Sequence, residues 1–263
     1  MLHGKHFQNG RKTLVIVFQN AAKPLNEAIP NIYLNKISQA EVSEMHEQYT
    51  WIKFAKTCSK VDYLFVKDHF SSVYGWYIMD EGKFIYEEFN KQLTMFIKKN
   101  KYKRVISFGS SKGGTGALLY GLINPFITDV FSLVPQINVA TFINKLCPNE
   151  KSLFFHNSLE FEQKVNNLFY SSDLYNDYSQ TNINFYTGSQ DIQFNNLLEY
   201  RKFLKDKNIV SKLYLNRSDE KHTRLVNQYT NFIYSFLEDL IEEEDRRTNR
   251  LTYQISEECF ILK

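Results

Sequence analysis

Short apolar runs alternate along this chain with longer segments in which apolar residues recur every three or four positions. The short runs are rich in β-branched and aromatic residues, which are typical of strands. They predict strands over Thr13–Phe18, Val61–Val66, Arg104–Phe108, Val130–Val134, Asn182–Thr187 and Lys212–Leu215. The longer segments predict helices over Glu41–Cys58, Ile85–Lys99, Gly113–Ile123, Leu159–Phe169 and Asn195–Lys207, and a last helix from about Arg224 to Glu244.

This alternation indicates an α/β domain. Nearly continuous apolar strands separated by helices are what a mostly parallel sheet covered on both faces requires. No internal repeat and no linker rich in Pro, Gly or Ser divides the chain, so we predict one domain over residues 1–250. Residues 251–263 follow as a C-terminal extension, with an added strand, a partner contact and a disordered end as the alternatives.

Composition and charge exclude several classes of protein. A chain of 263 residues with 43% hydrophobic residues can bury one sizeable core. The net charge is only +3 and basic residues are scattered, so neither nucleic acid nor a membrane surface is an expected partner. The polar segment Met1–Lys12 lacks the apolar region of a secretory signal, and Leu14–Phe18 is too short to span a bilayer. Three distant cysteines without ligand spacing predict neither a disulfide framework nor a zinc site, and they favour a reducing cytoplasm. The serine mechanism considered below needs no metal or cofactor.

A Gly-x-Ser-x-Gly motif supplies the candidate nucleophile. Residues 109–113 read Gly-Ser-Ser-Lys-Gly and connect a predicted strand directly to a predicted helix. Ser111 then occupies a sharp, strained turn, and Gly109 and Gly113 leave room where side chains would collide. Its hydroxyl stands at the carboxyl end of a strand and above a helix N-terminus, where the backbone amide of Lys112 can stabilise an oxyanion.

This glycine-rich turn has two alternative interpretations. Lys112-Gly-Gly-Thr-Gly116 begins like a phosphate-binding loop, but such a loop needs a lysine and a hydroxyl where this chain has Ala117 and Leu118. NTP hydrolysis is therefore disfavoured. The remaining alternative is an ordinary strand-to-helix turn with an incidental serine.

A nucleophilic serine needs a base and an acid that orients the base. His222 is the only histidine after His156, and it follows the last predicted strand just before the last helix. Asp191 follows the preceding strand, so the order Ser111, Asp191, His222 is that of α/β-hydrolases. Asp219 is the alternative acid, and a surface histidine near a helix start is the alternative for His222.

Two loops after early strands complete the predicted site. An amide of Gln19 or Asn20, after the first long strand, is the candidate second oxyanion donor. Asp68, Trp76 and Tyr77 follow the second strand, and we predict that they contact substrate at the pocket rim, since aromatic faces beside a carboxylate suit a sugar. The alternative is that the two aromatic side chains pack beneath the loop.

Three segments resemble those of a known group of proteins. They are Phe-Val-Lys-Asp at 65–68, Gly-Trp-Tyr at 75–77 and Gly-Ser-Ser-Lys-Gly-Gly at 109–114. The region from Thr13 to Asn231 resembles bacterial α/β-hydrolase-like proteins found with capsule and other surface-polysaccharide genes, and a related domain of accessory secretion proteins that modify glycosylated adhesins. The resemblance implies the α/β-hydrolase fold, a Ser-His-Asp site and acyl (acetyl) transfer to or from a carbohydrate. The His-Gly-Gly-Gly segment of lipases is absent.

These observations predict a serine esterase that forms an acyl-Ser111 intermediate. The predicted substrate is an acyl or acetyl ester of a carbohydrate. The alternatives are acyl transfer to a glycan hydroxyl and a non-catalytic module that binds a glycan or a protein. The predicted partner is a small-molecule or glycan ester, with a protein partner or a homo-oligomer left open.

Overall fold

The computed structural model describes residues 2–68, 73–176, 178, 181–242 and, for the backbone alone, 259–262. The strands are β1 Gly4–Phe7, β2 Thr13–Phe18, β3 Asp62–Val66, β4 Met79–Asp80, β5 Lys83–Phe84, β6 Arg104–Ser110, β7 Asp129–Leu133, β8 Asn182–Gly188, β9 Ser211–Asn216 and β10 Cys259–Leu262. The α-helices are α1 Lys23–Tyr33, α2 Gln39–Met45, α3 Ile52–Thr57, α4 Tyr86–Asn100, α5 Lys112–Ile123, α6 Val139–Leu146, α7 Ser152–Phe155, α8 Leu159–Asn166, α9 Phe194–Asp206, α10 His222–Asn227 and α11 Thr230–Glu242. Two 3₁₀ turns cover Leu168–Tyr170 and Ser172–Tyr175.

Eight strands form one sheet in the order β1-β3-β2-β6-β7-β8-β9-β10. The six inner strands, which are the six that the sequence predicts, are parallel, whereas β1 and β10 pair antiparallel at the two edges. The pairing of β10 with β9 makes four residues of the C-terminal extension an added strand. The rest of that extension lies outside the described residues.

Both faces of the sheet are covered because the inner strands are apolar on both sides. In β2, Leu14, Ile16 and Phe18 enter a core layer shared with α1, α4, α5, α6 and α9. Val15 and Val17 point the other way, into a layer shared with α3, α10 and α11. Because the six inner strands are parallel, their carboxyl ends all lie at one edge of the sheet, which is where ligands bind in such sheets.

The structure corrects two helix predictions and adds helices that were not predicted. The segment predicted as one helix over Glu41–Cys58 is two helices, α2 and α3, separated by a bend in which Trp51 adopts φ 67°. The predicted last helix is divided into α10 and α11. Helix α1, which was not predicted, has Pro24 in its first turn, a position that favours helix initiation, and Pro30 in its interior.

None of the described helices is long and apolar enough to cross a bilayer.

Candidate active site

The turn between β6 and α5 holds Ser111 in a strained conformation, with φ 55° and ψ −122°. Such backbone angles cost a non-glycine residue about 1–3 kcal/mol. The Ser111 amide donates a hydrogen bond to the Leu133 carbonyl at 2.9 Å, which ties the turn to the end of β7. The fold thus holds the serine in a conformation that the residue itself disfavours.

The two flanking glycines are required by close backbone approach. A Cβ on Gly109 would lie 2.3 Å from the Gly113 carbonyl oxygen, and one on Gly113 would lie 2.2 Å from the Phe18 oxygen. Helix α5 is buried from Lys112 to Leu122, so its N-terminus is fixed beneath the serine. The Lys112 amide is the first N–H of this helix, a group that a helix leaves without an intrahelical acceptor.

Loops from three strands bring Ser111, His222 and Asp191 into one hydrogen-bonded row. The Ser111 Oγ lies 2.9 Å from His222 Nε2, and His222 Nδ1 lies 2.8 Å from Asp191 Oδ2. A carboxylate only accepts, so Nδ1 carries the proton and Nε2 accepts from the serine. The His222 side chain is 22% exposed and that of Asp191 is fully buried. His222 thus faces Asp191 and not Asp219, the alternative acid of the sequence analysis.

Local hydrogen bonds fix the acid and the loop that carries the histidine. The second oxygen of Asp191 accepts from the Gln193 amide at 2.6 Å. Buried Asn216, at the end of β9, donates to the Tyr186 hydroxyl at 3.0 Å and accepts from the Ser218 amide at 2.9 Å. These contacts order the segment that leads into His222 at the start of α10.

Gln136, which was not among the residues predicted from the sequence, also contacts the serine. Its Nε2 lies 2.9 Å from Ser111 Oγ and 3.4 Å from His222 Nε2. Its side-chain oxygen accepts from the Trp76 indole N–H at 3.1 Å. Gln136 is fully buried, just past the end of β7. The signal available in the sequence was its position two residues beyond a predicted strand, the same edge that carries the other site residues.

A buried ion pair lies beneath the site. Lys112 Nζ contacts Asp68 Oδ2 at 2.7 Å, with side-chain exposures of 3% and 0%. The other Asp68 oxygen accepts from the Gly75 and Tyr77 amides at 3.3 and 3.1 Å. Burial lowers the pKa of Lys112, and the Asp68 carboxylate opposes that shift. The Lys112 side chain, for which the sequence predicts no role, anchors the loop that carries Asp68.

The prediction that Asp68, Trp76 and Tyr77 contact substrate at the rim is wrong. Their exposures are 1%, 1% and 0%. The Trp76 ring packs edge-on against Tyr74 and Phe154, so the alternative of packing beneath the loop is the correct one. Asp68 has its oxygens committed to Lys112 and to backbone amides, and buried groups of this kind cannot stack on a sugar.

The structure also separates the two candidate oxyanion donors after β2. The Gln19 amide donates to the Tyr77 hydroxyl at 2.6 Å, and that hydroxyl lies 3.0 Å from the Val66 carbonyl, to which it donates. The Gln19 amide is therefore committed within the fold, which corrects its assignment as a donor. Gln19 and Asn20 both line one small cavity beside Lys112, so only the committed Gln19 amide distinguishes them. Of the two alternatives, Asn20 is the one that stays a prediction.

Comparison with solved structures places this architecture among known proteins. The chain is 20% identical to the capsule O-acetyltransferase of Neisseria meningitidis serogroup A, with 85% of this chain and 86% of that one covered and a TM-score of 0.59. It is 13% identical to FphF, a fluorophosphonate-binding serine hydrolase of Staphylococcus aureus, over 86% and 83% of the two chains with a TM-score of 0.53. The chain has the α/β-hydrolase fold. At these identities the similarity establishes the fold alone.

A third similar structure is the Gap123 glycosylation-associated complex of Streptococcus agalactiae, at 12% identity and a TM-score of 0.64. The match covers 88% of this chain but only 42% of that one, so this chain spans less than half of the chain it matches there. No protein-family model matches the sequence, and no curated protein matches it.

Proposed function

We propose that this protein is a serine enzyme that cleaves or transfers an acyl group through a covalent acyl-Ser111 intermediate. The observation that carries the proposal is the row from Asp191 through His222 to Ser111, with both of its contacts below 3 Å. A serine in a strained turn, hydrogen-bonded to an imidazole that is itself held by a buried carboxylate, is the arrangement that activates a hydroxyl for acyl transfer.

Acylation follows from these contacts. His222 Nε2 takes the Ser111 proton while Oγ bonds to the ester carbonyl carbon, which gives a tetrahedral intermediate with a negatively charged oxygen. Asp191 keeps the proton on Nδ1 and stabilises the imidazolium. The Lys112 amide, at the positive end of α5, donates to the oxyanion, with the Asn20 amide as the proposed second donor. The imidazolium then protonates the departing alkoxide, and the C–O bond to the alcohol breaks.

Deacylation reverses the roles of the same groups. His222 takes a proton from water or from an acceptor hydroxyl, whose oxygen attacks the acyl carbon. Collapse of the second tetrahedral intermediate breaks the bond to Ser111 Oγ, which recovers its proton from Nε2. The acceptor determines whether the reaction is hydrolysis or transfer.

A fluorophosphonate probe and p-nitrophenyl acetate test the proposal. We expect the wild type to be labelled once per chain and to release p-nitrophenol, Ser111→Ala to do neither, and His222→Ala to lose at least about 1,000-fold in turnover. His156→Ala is the matched histidine control and should retain full turnover, since His156 lies in a turn after α7. An unlabelled wild type, or equal labelling of Ser111→Ala, would refute the nucleophile.

Transfer to a sugar hydroxyl is the second candidate, favoured by the structural similarity to a capsule O-acetyltransferase over 85% of this chain. A variant of that enzyme has been seen in complex with CoA, with 90% of this chain and 89% of that one covered. We therefore propose acetyl esters as the substrate class and acetyl-CoA as a donor to test, with oligosaccharides as acceptors. With acetyl-CoA, the carbonyl C–S bond breaks in place of the C–O bond, and the imidazolium protonates the departing CoA thiolate. Mass spectrometry of the products distinguishes acetylated sugar from free acetate.

A place in surface-polysaccharide metabolism and a cytoplasmic location belong to the same proposal. Cys58 and Cys147 are free thiols buried in the core, which suits a reducing compartment. A protein partner or a homo-oligomer stays a prediction, and the similarity to a glycosylation-associated complex supports testing it by light scattering. If the fluorophosphonate probe does not label the wild type, a non-catalytic binding module is the interpretation that remains.

A further inference from the structure

We propose that Gln136 is a catalytic hydrogen-bond donor to Ser111 Oγ, which stabilises the charge on that oxygen when the serine attacks and again when it leaves. The inference rests on the proposed function and adds a fourth side chain to it. It starts from the 2.9 Å contact between Gln136 Nε2 and Ser111 Oγ. The serine oxygen therefore has two partners in the structure, an imidazole that accepts and an amide that donates.

The orientation of the Gln136 amide is fixed by a donor on its other side. The Trp76 indole nitrogen is a donor only, so the atom that it meets at 3.1 Å must be the amide oxygen. The Thr115 hydroxyl lies 3.4 Å from the same oxygen, but its single proton goes to the Gln136 main-chain carbonyl at 2.9 Å, so the Trp76 contact decides the orientation. The NH₂ group then has to face Ser111. A rotated amide would place two N–H donors against each other at Trp76 and an acceptor against the serine oxygen.

The Gln136 backbone is held equally firmly. Its N–H donates to Thr115 Oγ1 at 2.9 Å, and Thr115 Oγ1 also lies 2.9 Å from the Gln136 carbonyl. Thr115 belongs to the first turn of α5, and Trp76 and Gln136 are 1% and 0% exposed. The donor is thus set by the same helix that positions the nucleophile, and water does not compete for it. A preorganised donor in a buried setting is worth more than the same contact in water.

The chemical consequence concerns Oγ itself and not the carbonyl oxyanion. In acylation, the Ser111 proton passes to His222 Nε2 while the Oγ–carbon bond forms, and Gln136 offsets the charge that develops on Oγ. In deacylation, the acyl carbon–Oγ bond breaks and electrons return to Oγ before Nε2 reprotonates it. The same N–H therefore lowers both barriers, whereas a residue that only orients the free serine would lower the first alone.

Rates of the two steps in matched variants test this inference. Gln136→Met keeps the length and removes the donor, and Gln136→Glu keeps the acceptor for Trp76 while it replaces NH₂ with an oxygen. Asn184→Leu is the control, because Asn184 is a buried amide in β8 that donates to the Val130 carbonyl at 3.2 Å, away from the serine. It should lower thermal stability comparably and leave both rates unchanged.

We expect fluorophosphonate labelling to slow by about 10- to 100-fold in both Gln136 variants, as for loss of a hydrogen bond to a charged group. Decay of acetyl-Ser111, followed by quenched intact-mass measurement, should slow by a similar factor. Gln136→Glu serves as the second variant if Gln136→Met does not fold, since it preserves the Trp76 contact.

The outcomes separate this inference from the proposed function. Labelling of Gln136→Met at the wild-type rate, with Ser111→Ala unlabelled, would overturn the role of Gln136 and leave the nucleophile standing. Slower labelling with unchanged deacylation would also overturn it, because Gln136 would then only orient the free serine. An unlabelled wild type would overturn both proposals.

Discussion

The substitution Asp68→Asn would leave the buried, positively charged Lys112 without its negatively charged partner. The substitution keeps the shape of the side chain and an oxygen for the Gly75 and Tyr77 amides, but it removes the anion that lies 2.7 Å from Lys112 Nζ. Because both side chains are almost fully buried, water cannot solvate the unpaired Lys112 ammonium unless the structure opens locally. Breaking a pair of this kind costs about 3–5 kcal/mol.

Deprotonation of Lys112 sets an upper limit on that cost. From an ordinary pKa of 10.5, releasing the proton at pH 7 costs about 5 kcal/mol, and at pH 9 about 2 kcal/mol. Burial already lowers the pKa of Lys112, and removal of Asp68 takes away the charge that opposes the shift. Between the folded and unfolded pKa values the unfolded chain binds more protons, so the stability of the variant rises with pH in that window.

Urea unfolding of wild type and Asp68→Asn at pH 7, 8 and 9 measures this. We expect the variant to be less stable by about 3–5 kcal/mol at pH 7, with a midpoint lower by about 1–2 M, and the deficit to shrink to about 2 kcal/mol at pH 9. Adding Lys112→Met to the variant should remove the pH dependence. Glu160→Gln, in an exposed pair with Lys164, is the control and should leave the midpoint unchanged. A deficit that is below about 1 kcal/mol at pH 7, or constant with pH, would refute a buried charge.

Three further predictions concern the strained turn at Ser111 and the buried carboxylate of Asp62 in β3. Ser111→Gly should be more stable than Ser111→Ala by about 1–2 kcal/mol in urea, since glycine adopts φ 55° without strain, and equal stabilities would contradict the strained turn. Gly113→Ala should lower stability by at least about 1–3 kcal/mol and slow probe labelling, because its Cβ would meet the Phe18 carbonyl at 2.2 Å; a wild-type melting curve would show that the turn relaxes. Burial alone would raise the pKa of Asp62, but hydrogen bonds from the Arg11 amide, the Tyr102 hydroxyl and the Asn9 amide lower it overall. Stability from Asp62 is thus present above its unfolded pKa and lost on acidification, so Asp62→Asn should flatten the acid limb of the pH–stability curve, and an unchanged limb would contradict this.

The sequence by itself determined the sheet and the order of its chemistry. All six parallel strands were predicted within one or two residues, because strands buried on both faces must be apolar almost throughout. The glycine pattern around Ser111 predicted the sharp turn, and the α/β-hydrolase fold is confirmed. Asp191 and His222 could be nominated since a parallel sheet gathers its strand ends at one edge, and their catalytic roles stay proposals.

Only the tertiary structure decided which side chains meet and which are buried. Asp68, Trp76 and Tyr77 have the composition of a sugar-binding rim, yet burial assigns them to a support beneath the site, because polarity along the chain does not reveal which loop lies over which helix. The contacts of Gln136 and of the Lys112 side chain were not predicted, since each is made with a partner more than twenty residues away in the sequence. Periodicity records how a residue faces its own sheet or helix, whereas hydrogen-bond partners across loops are set by the packing of the whole chain.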